Sequence, residues 1–488
     1  MMEKRKILTP EELKEFENDK FPFENIAFEG GGSQGTAHIG AVRVLEEIGV
    51  WTNMKRFAGT SAGALVAMAG ALGCDSHVME KKMADGGLSK PLDACCCALL
   101  PNLLTHYGLH PGKKVEKWIG QVLKKRLGNA NATFEDLYKK CNKRELCVVV
   151  SNLSQLDCLY CHVKTTPCMK IKDAVRMSLS HPGVLFPVKH KDQYFVDGGL
   201  TNNYPIRVFD GWYLSLKPQD NFLIRIPEFG DLAAAWDPNS QFGDQPNGKT
   251  IGVVLYSADE KEMFKEEFNR RAKEHAPNTT PEMPKKTELA RERKQKMDRI
   301  DAAQQEHGDL VNAMTAFIKL LGKHADVEKG TVPKDAFKRA LDQAGDEFTK
   351  EQKAIIFGEG KTNAQIVNAI DTDQDGQLSH REITKYAESR GIDARNVFRG
   401  FTGKEIKNLA GYFTTILDMV MLNSKRVLYK RDDLSRTIGV DTGYIDALDL
   451  ELDEEDREYM LKQGKRGCMA FLRYYKSQRH VQQAWQAE

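Results

Sequence analysis

The stretch "FAGTSAGALVA", Phe57–Ala67, sets a serine between two glycines where an apolar run meets a run of small residues. A chain that passes from a buried strand straight into a helix leaves no room for Cβ atoms around the turn. Gly59 and Gly63 permit that backbone, and Ser61 is left at its tip. "MKRFA" reads as a short buried strand and "AGALVAMAGAL" as a helix able to lie close under a sheet. The pattern therefore demands strand–turn–helix geometry, the unit of an α/β fold. Five residues of this kind also arise by chance, so on their own they leave open both a nucleophile and an ordinary turn.

The surroundings continue the same alternation. From Phe21 to Leu255, strand-like runs ("NIAFEGG", "KRFAG", "ELCVVVSNL", "CLYCHV", "QYFVDGG", "TIGVVLYS") alternate with helical stretches, which places the segment in the α/β class. The 488 residues leave room for further domains. From Ala258 to about Leu321 the chain is very charged and helical, and "KKTELARERKQKMDRIDAAQQ" mixes its acids and bases as a solvated helix does. An acidic loop module follows, from Ala325 to about Arg399, and then a final mixed segment.

Charge excludes some partners. With 71 Lys and Arg against 69 Asp and Glu, the net charge is +2, and no nucleic-acid partner is expected. The start, "MMEKRKILTPEELKEFEN", has no apolar core of a signal peptide, and no run is long enough to span a bilayer, so a cytoplasmic protein is expected. The ten cysteines include the adjacent thiols Cys95–Cys97, which suit a reducing compartment, and no accompanying anchor signal points to their acylation. "CLYCH", Cys158–His162, has haem-attachment spacing but sits in an alternating strand pattern, and is read as a chance match. Asn131 and Asn278 fit the glycosylation pattern without a secretory signal to make use of it.

Two further motifs bear on Ser61. In "FEGGGSQGTAHIGAVRVLEEIG" a strand runs into three glycines and a helix, so backbone N–H groups of Gly31 and Gly32 can point at an anion. The lysine of a phosphate loop is missing, which makes an oxyanion hole for Ser61 the better reading than a nucleotide site. His38, one helical turn on, is read as structural. In "SLSHPGVLFPVKHKDQYFVDGGLTNNYPI", Asp197 ends a strand before two glycines, either a common turn or a carboxylate brought close to another site.

Taken in order, the glycine loop, the GTSAG elbow and the late DGG resemble the patatin-like phospholipase family. The likeness extends to "AHIGAVRVLEE", "DAVRMSLSHPGVLFPV" and "DGGLTNNYPI" and covers most of residues 21–257. It implies a three-layer α/β sheet domain with helices on both faces. By the same resemblance Ser61 is the nucleophile, Asp197 the base that takes its proton, and Gly30, Gly31 and Gly32 the oxyanion loop. Its substrate is a membrane lipid or phospholipid, met by peripheral membrane contact. Relatives that act as bacterial effectors make delivery into a host cell compatible with the family, and a protein activator is left open. Gln34 stands where the family usually has Arg or Lys, which removes a cation expected near the oxyanion or a lipid phosphate. The competing α/β-hydrolase arrangement needs a late histidine, and His307, His324 and His380 all fall in the charged or acidic segments.

"DTDQDGQLSHRE", Asp371–Glu382, fits D-x-D-x-D-G-x-x-x-x-x-E without substitution and resembles a calcium-binding EF-hand. Asp371, Asp373, Asp375, Gln377 and Glu382 are the expected ligands of one Ca2+, with Ser379 acting through water. The partner loop "ADVEKGTVPKDA", Ala325–Ala336, keeps the glycine and the inward Val332 but has Ala325, Val327, Lys329 and Ala336 at ligand positions, so it is expected to hold no ion. The segment from "NLAGYFTTILDMVM" to "GCMAFL" resembles the closing part of bacterial patatin-like domains. The expected organisation is a catalytic domain in two parts, 20–257 and 406–480, around a charged helical and all-α EF-hand-like insertion at 258–405, entering after "TIGVVLYS" and leaving near Lys404. The functions left standing are a phospholipase A-like serine lipid acyl hydrolase modulated by calcium and, alternatively, a calcium-responsive binding or scaffolding protein with an inactive hydrolase site.

Overall fold

The computed structural model describes residues 6–82, 93–230, 232–258, 264–326, 328–390, 392 and 406–487. Two compact units emerge, one of residues 1–292 with 407–488 and the other of residues 293–406.

The first unit is built on a mixed sheet. Its strands are β1 (Asn25–Phe28), β2 (Arg56–Thr60), β3 (Glu145–Asn152), β4 (Asp157–Cys161), β5 (Val188–His190), β6 (Gln193–Asp197), β7 (Thr250–Ser257) and β8 (Thr437–Gly443). They lie in the order β8-β7-β1-β2-β3-β6-β5, with β4 paired to β3. The five strands from β8 to β3 are parallel, and β4, β5 and β6 are antiparallel to their neighbours. β1 and β7 are buried along their whole length, as parallel strands covered on both faces must be. The expected strand "CLYCHV" is β4, a ladder strand in which Cys161 is fully buried.

Helices cover one face. These are α1 (Thr36–Glu47), α2 (Ala62–Ala71) and, from the far end of the chain, the helix Glu454–Ala487. Glycines allow that last helix to press on α1. A Cβ on Gly40 would lie 2.1 Å from Leu461 O, and one on Gly464 would lie 2.0 Å from Ala37 O. The other face carries an aromatic layer in which Tyr204, Phe209 and Phe242 pack with Ala58, Val149 and Tyr256 of the sheet. The three layers expected from the sequence are present, and the closing segment supplies β8 and a covering helix.

The expected start of the insertion at 258 needs correction. The helix Lys265–His275 belongs to the first unit, where Phe268 stacks on Tyr256 and Arg271 lies over Tyr474. Its polar composition reflects only its outer face. The second unit is all-α apart from one short strand pair, with a core of Phe317, Phe337, Phe348, Phe357, Ile366 and Leu378. Val327 and the expected exit near Lys404 lie outside the described residues. Among the described residues no helix is long and apolar enough to cross a membrane.

Candidate active site

Ladder register brings the two principal residues together. β3 pairs with β2 as far as Thr60↔Val149, and the same edge continues with β6 from Asp197↔Val150. Ser61, the residue after Thr60, therefore meets the end of β6, 136 positions later in sequence, one rung further along. The Ser61 hydroxyl lies beside the Asp197 carboxylate, near enough to lower its pKa.

The elbow is strained as its sequence required. Ser61 has φ 52° and ψ −126°, a region that side chains rarely adopt, and opens α2. A Cβ on Gly59 would sit 2.3 Å from Gly63 O, and one on Gly63 would sit 2.4 Å from Phe28 O. Neither position accepts another residue without moving backbone. The turn is pinned by Ser178, whose hydroxyl accepts from the Ser61 N–H at 2.9 Å and donates to Val149 O at 2.7 Å.

Asp197 is oriented from behind. Gly199 N–H donates to its Oδ1 at 2.8 Å, and a Cβ on Gly198 would lie 2.3 Å from Val149 O, so the first glycine of the DGG accepts no side chain without moving backbone. Burial pushes the Asp197 carboxyl above its ordinary value, while nearby His181, the Ser61 hydroxyl and the Gly199 N–H oppose that rise. His181 lies in the "SHPG" turn, which names itself in the sequence only as a turn. A base with a raised pKa sets the acid limb of kcat/KM, because the protonated form accepts nothing from Ser61. The limb should therefore fall above the usual aspartate value of 3.8. His181→Gln removes an opposing positive charge and should move it to still higher pH. A pH–rate profile of both proteins checks this, and an unmoved limb refutes the assignment of His181.

The glycine loop lies beside the serine, since a Cβ on Gly30 would come within 3.0 Å of Ser61 Cβ. Here one expectation changes. Gly30 N–H donates to Asn203 O at 3.1 Å and is unavailable to an oxyanion. Ser33 N–H is likewise engaged by Ala447 O at 3.0 Å. Among the described residues the Gly31 and Gly32 N–H groups have no acceptor, and these are the loop's available donors.

Gln34 is accounted for by the closing segment. Its side chain is 2% exposed and its amide donates to Thr442 Oγ1 and Ile445 O, both at 3.1 Å, so it holds the end of β8 rather than lining the cleft. A cation does stand behind the loop. Lys425, from the helix Leu409–Leu428, pairs with Glu29 at 2.7 Å, both buried, and Glu29 also accepts from Leu255 N–H at 2.8 Å. These two residues, 396 positions apart, escape any local pattern. His38 is buried with Nε2 2.8 Å from Glu29 O, and burial pushes its pKa down to about 4, so it stays neutral as a prop for the loop.

In the second unit, Asp371, Asp373 and Asp375 offer oxygens within 4.8 Å of one another. Gly376 takes φ 81° at the sharp turn. The degenerate loop pairs with this one through Val332↔Leu378. Lys334 from it bonds Asp371 Oδ2 at 2.6 Å, while Asp371 Oδ1 is buried without a hydrogen-bond partner. Glu382 stands apart from the carboxylate group. Its oxygens accept from Thr372 N–H at 2.7 Å and from Ser379 N–H at 3.0 Å. Burial acts to raise its pKa, but these bonds prevail and hold it at about 2. The Gln377 side chain turns to Thr331 Oγ1 at 3.0 Å.

A strained serine elbow, a buried aspartate beside it and an adjoining glycine loop meet at one end of an α/β sheet. Residues 26–210 match the family described as patatin-like phospholipase, and this segment carries that family's sequence pattern. An uncharacterized protein of Acanthamoeba polyphaga mimivirus is 29% identical over 203 residues, 41% of this chain and 65% of the relative. YqhO of Bacillus subtilis, also uncharacterized, is 33% identical over 198 residues, 37% of this chain and 65% of that protein. The chain thus spans somewhat less than two thirds of each. Among solved structures, VipD from Legionella pneumophila is similar with TM-score 0.39 and 15% identity, over 93% of this chain and 67% of that one.

Proposed function

We propose that the chain is a lipid acyl hydrolase of phospholipase A type that works through a Ser61–Asp197 dyad. The reading rests on the ladder register that brings Asp197 to the strained elbow beside the Ser61 hydroxyl. Asp197 takes the Ser61 proton as Oγ forms a bond to the acyl carbonyl carbon, and the carbonyl oxygen gathers negative charge at the Gly31 and Gly32 N–H groups. Asp197 then returns the proton to the leaving alcohol, which departs. Water attacks the acyl-enzyme, giving its proton to Asp197, and the fatty acid leaves as Ser61 regains it. Exposed apolar side chains on the helix Leu99–His106, with Leu100 64% and Leu104 71% exposed, support peripheral contact with a lipid surface. The test is fatty-acid release from phospholipid vesicles by the wild type and by Ser61→Ala. Equal release overturns the reading and favours the scaffolding alternative.

The calcium ion belongs to the second unit and not to the ester chemistry. The donor set fits a hard cation, with three convergent carboxylates and one buried oxygen lacking a partner. Asp371, Asp373, Asp375, Gln377 and Glu382 would hold it, with Ser379 through water. Glu382 gives up its loop hydrogen bonds in doing so, which supplies a conformational difference for the ion to act on. Calorimetry should find one ion per chain in wild type and binding weakened about tenfold or more in Glu382→Gln, since a bidentate charged ligand becomes neutral. Binding without any change in vesicle hydrolysis, membrane partition or thermal midpoint overturns modulation by calcium.

A further inference from the structure

An apolar cavity of about 230 Å³ lies behind the helix that carries the nucleophile. Leu65, Met68 and Ala69 of α2 form one wall at helical spacing, starting one turn from Ser61. Met79 and Trp118 face them. The apolar part of this lining suits an alkyl chain, as an apolar cavity of about 150 Å³ takes up apolar ligands. Its rim has the opposite character. Lys82, Lys125 and Arg126 line it, and among the described residues no carboxylate pairs with any of them. Arg126 also touches the buried Cys74 thiol. Lys125 and Arg126 complement the C-terminal dipole of the helix Lys113–Leu127, which accounts for their sign but not for the apolar space they edge.

We infer that this cavity binds an alkyl-chain anion, a fatty acid carboxylate, with its tail among Leu65, Met68, Met79 and Trp118 and its carboxylate at Lys82, Lys125 and Arg126. A neutral apolar ligand leaves the cations unused. A nucleotide or free phosphate leaves the apolar walls without a partner, so the combination selects an amphipathic anion. The site is separate from the Ser61 hydroxyl and stands whether or not that serine hydrolyses esters. Where it does, the ligand is of the same class as the released acid.

The experiment titrates dodecanoate, below its micellar concentration, into the full chain carrying Ser61→Ala, with calorimetry as readout. One ligand per chain is expected, together with no binding of dodecyltrimethylammonium, which has the same tail and the wrong charge. Lys125→Glu combined with Arg126→Glu alters exposed side chains and should weaken binding about tenfold or more, with only the small fall in thermal midpoint that reversed charges at a helix C-terminus bring. Lys125→Gln with Arg126→Gln should fall between, and covers the case in which charge reversal disturbs the fold. Equal binding by the charge-reversed protein, or equal binding of the cationic amphiphile, overturns the proposal as non-specific adsorption. Loss of binding when Ser61 of the wild type is blocked by a fluorophosphonate, with the rim variants unaffected, overturns it by placing the tail in the catalytic cleft.

Discussion

Ser61→Ala and Asp197→Asn should each lower vesicle hydrolysis by about 10⁴- to 10⁶-fold, with the double variant little worse than either single one. In the proposed mechanism the two side chains perform one act, since the proton that leaves Ser61 has Asp197 as its acceptor. Removing either group removes the same step. Both substitutions are nearly isosteric, and Asn retains an oxygen for the Gly199 N–H, so the fold should persist. Steady-state kinetics with a thermal midpoint for each variant checks the expectation. Near wild-type turnover in Asp197→Asn would return the base to a histidine. Multiplicative losses in the double variant would mean that the residues act independently.

Gly32→Ala should cost about 10²- to 10³-fold in kcat with a much smaller change in KM. Gly32 has φ 51°, and a Cβ there would come within 1.9 Å of Ala447 O. Ala447 cannot yield freely, because its neighbour Asp446 accepts from the Ser33 hydroxyl at 2.7 Å. The loop must shift instead, and the Gly32 N–H moves off the position where charge develops. Gly31 provides the comparison. Its φ of −177° is extended backbone open to any residue, and an added Cβ meets Gln34 Oε1 and Leu255 Cδ1 at 3.0 Å. Gly31→Ala should therefore be the milder change. A Gly32→Ala enzyme with unchanged kcat and raised KM would mark the loop as a substrate-binding feature instead.

Local rules made much of this molecule legible. The spacing of Gly59, Ser61 and Gly63 demands a bare turn between strand and helix, and their contacts with Gly63 O and Phe28 O are that demand met in space. The alternation of the loop Asp371–Glu382 likewise carried its own geometry, because carboxylates two residues apart converge where the chain turns at Gly376. What sequence could not supply was everything decided by pairing across long separations. Gly30 belongs to the same glycine run as its neighbours, yet its N–H is taken by Asn203, a partner chosen by the return of the chain after β6. Gln34 suggests a lost cation until β8 arrives to accept its amide, and Lys425 stands on Glu29 from 396 positions away. The polar helix Lys265–His275 reads as part of an insertion because charge describes its solvent face, while Phe268, stacked on Tyr256, and the buried Arg271 commit it to the first unit. The sequence by itself determined which backbone turns are permitted and which side chains are candidates for the chemistry. Which N–H groups stay available, and how far Asp197 lies from Ser61, were decided only by the tertiary structure, because β3 presents one edge to two strands in turn.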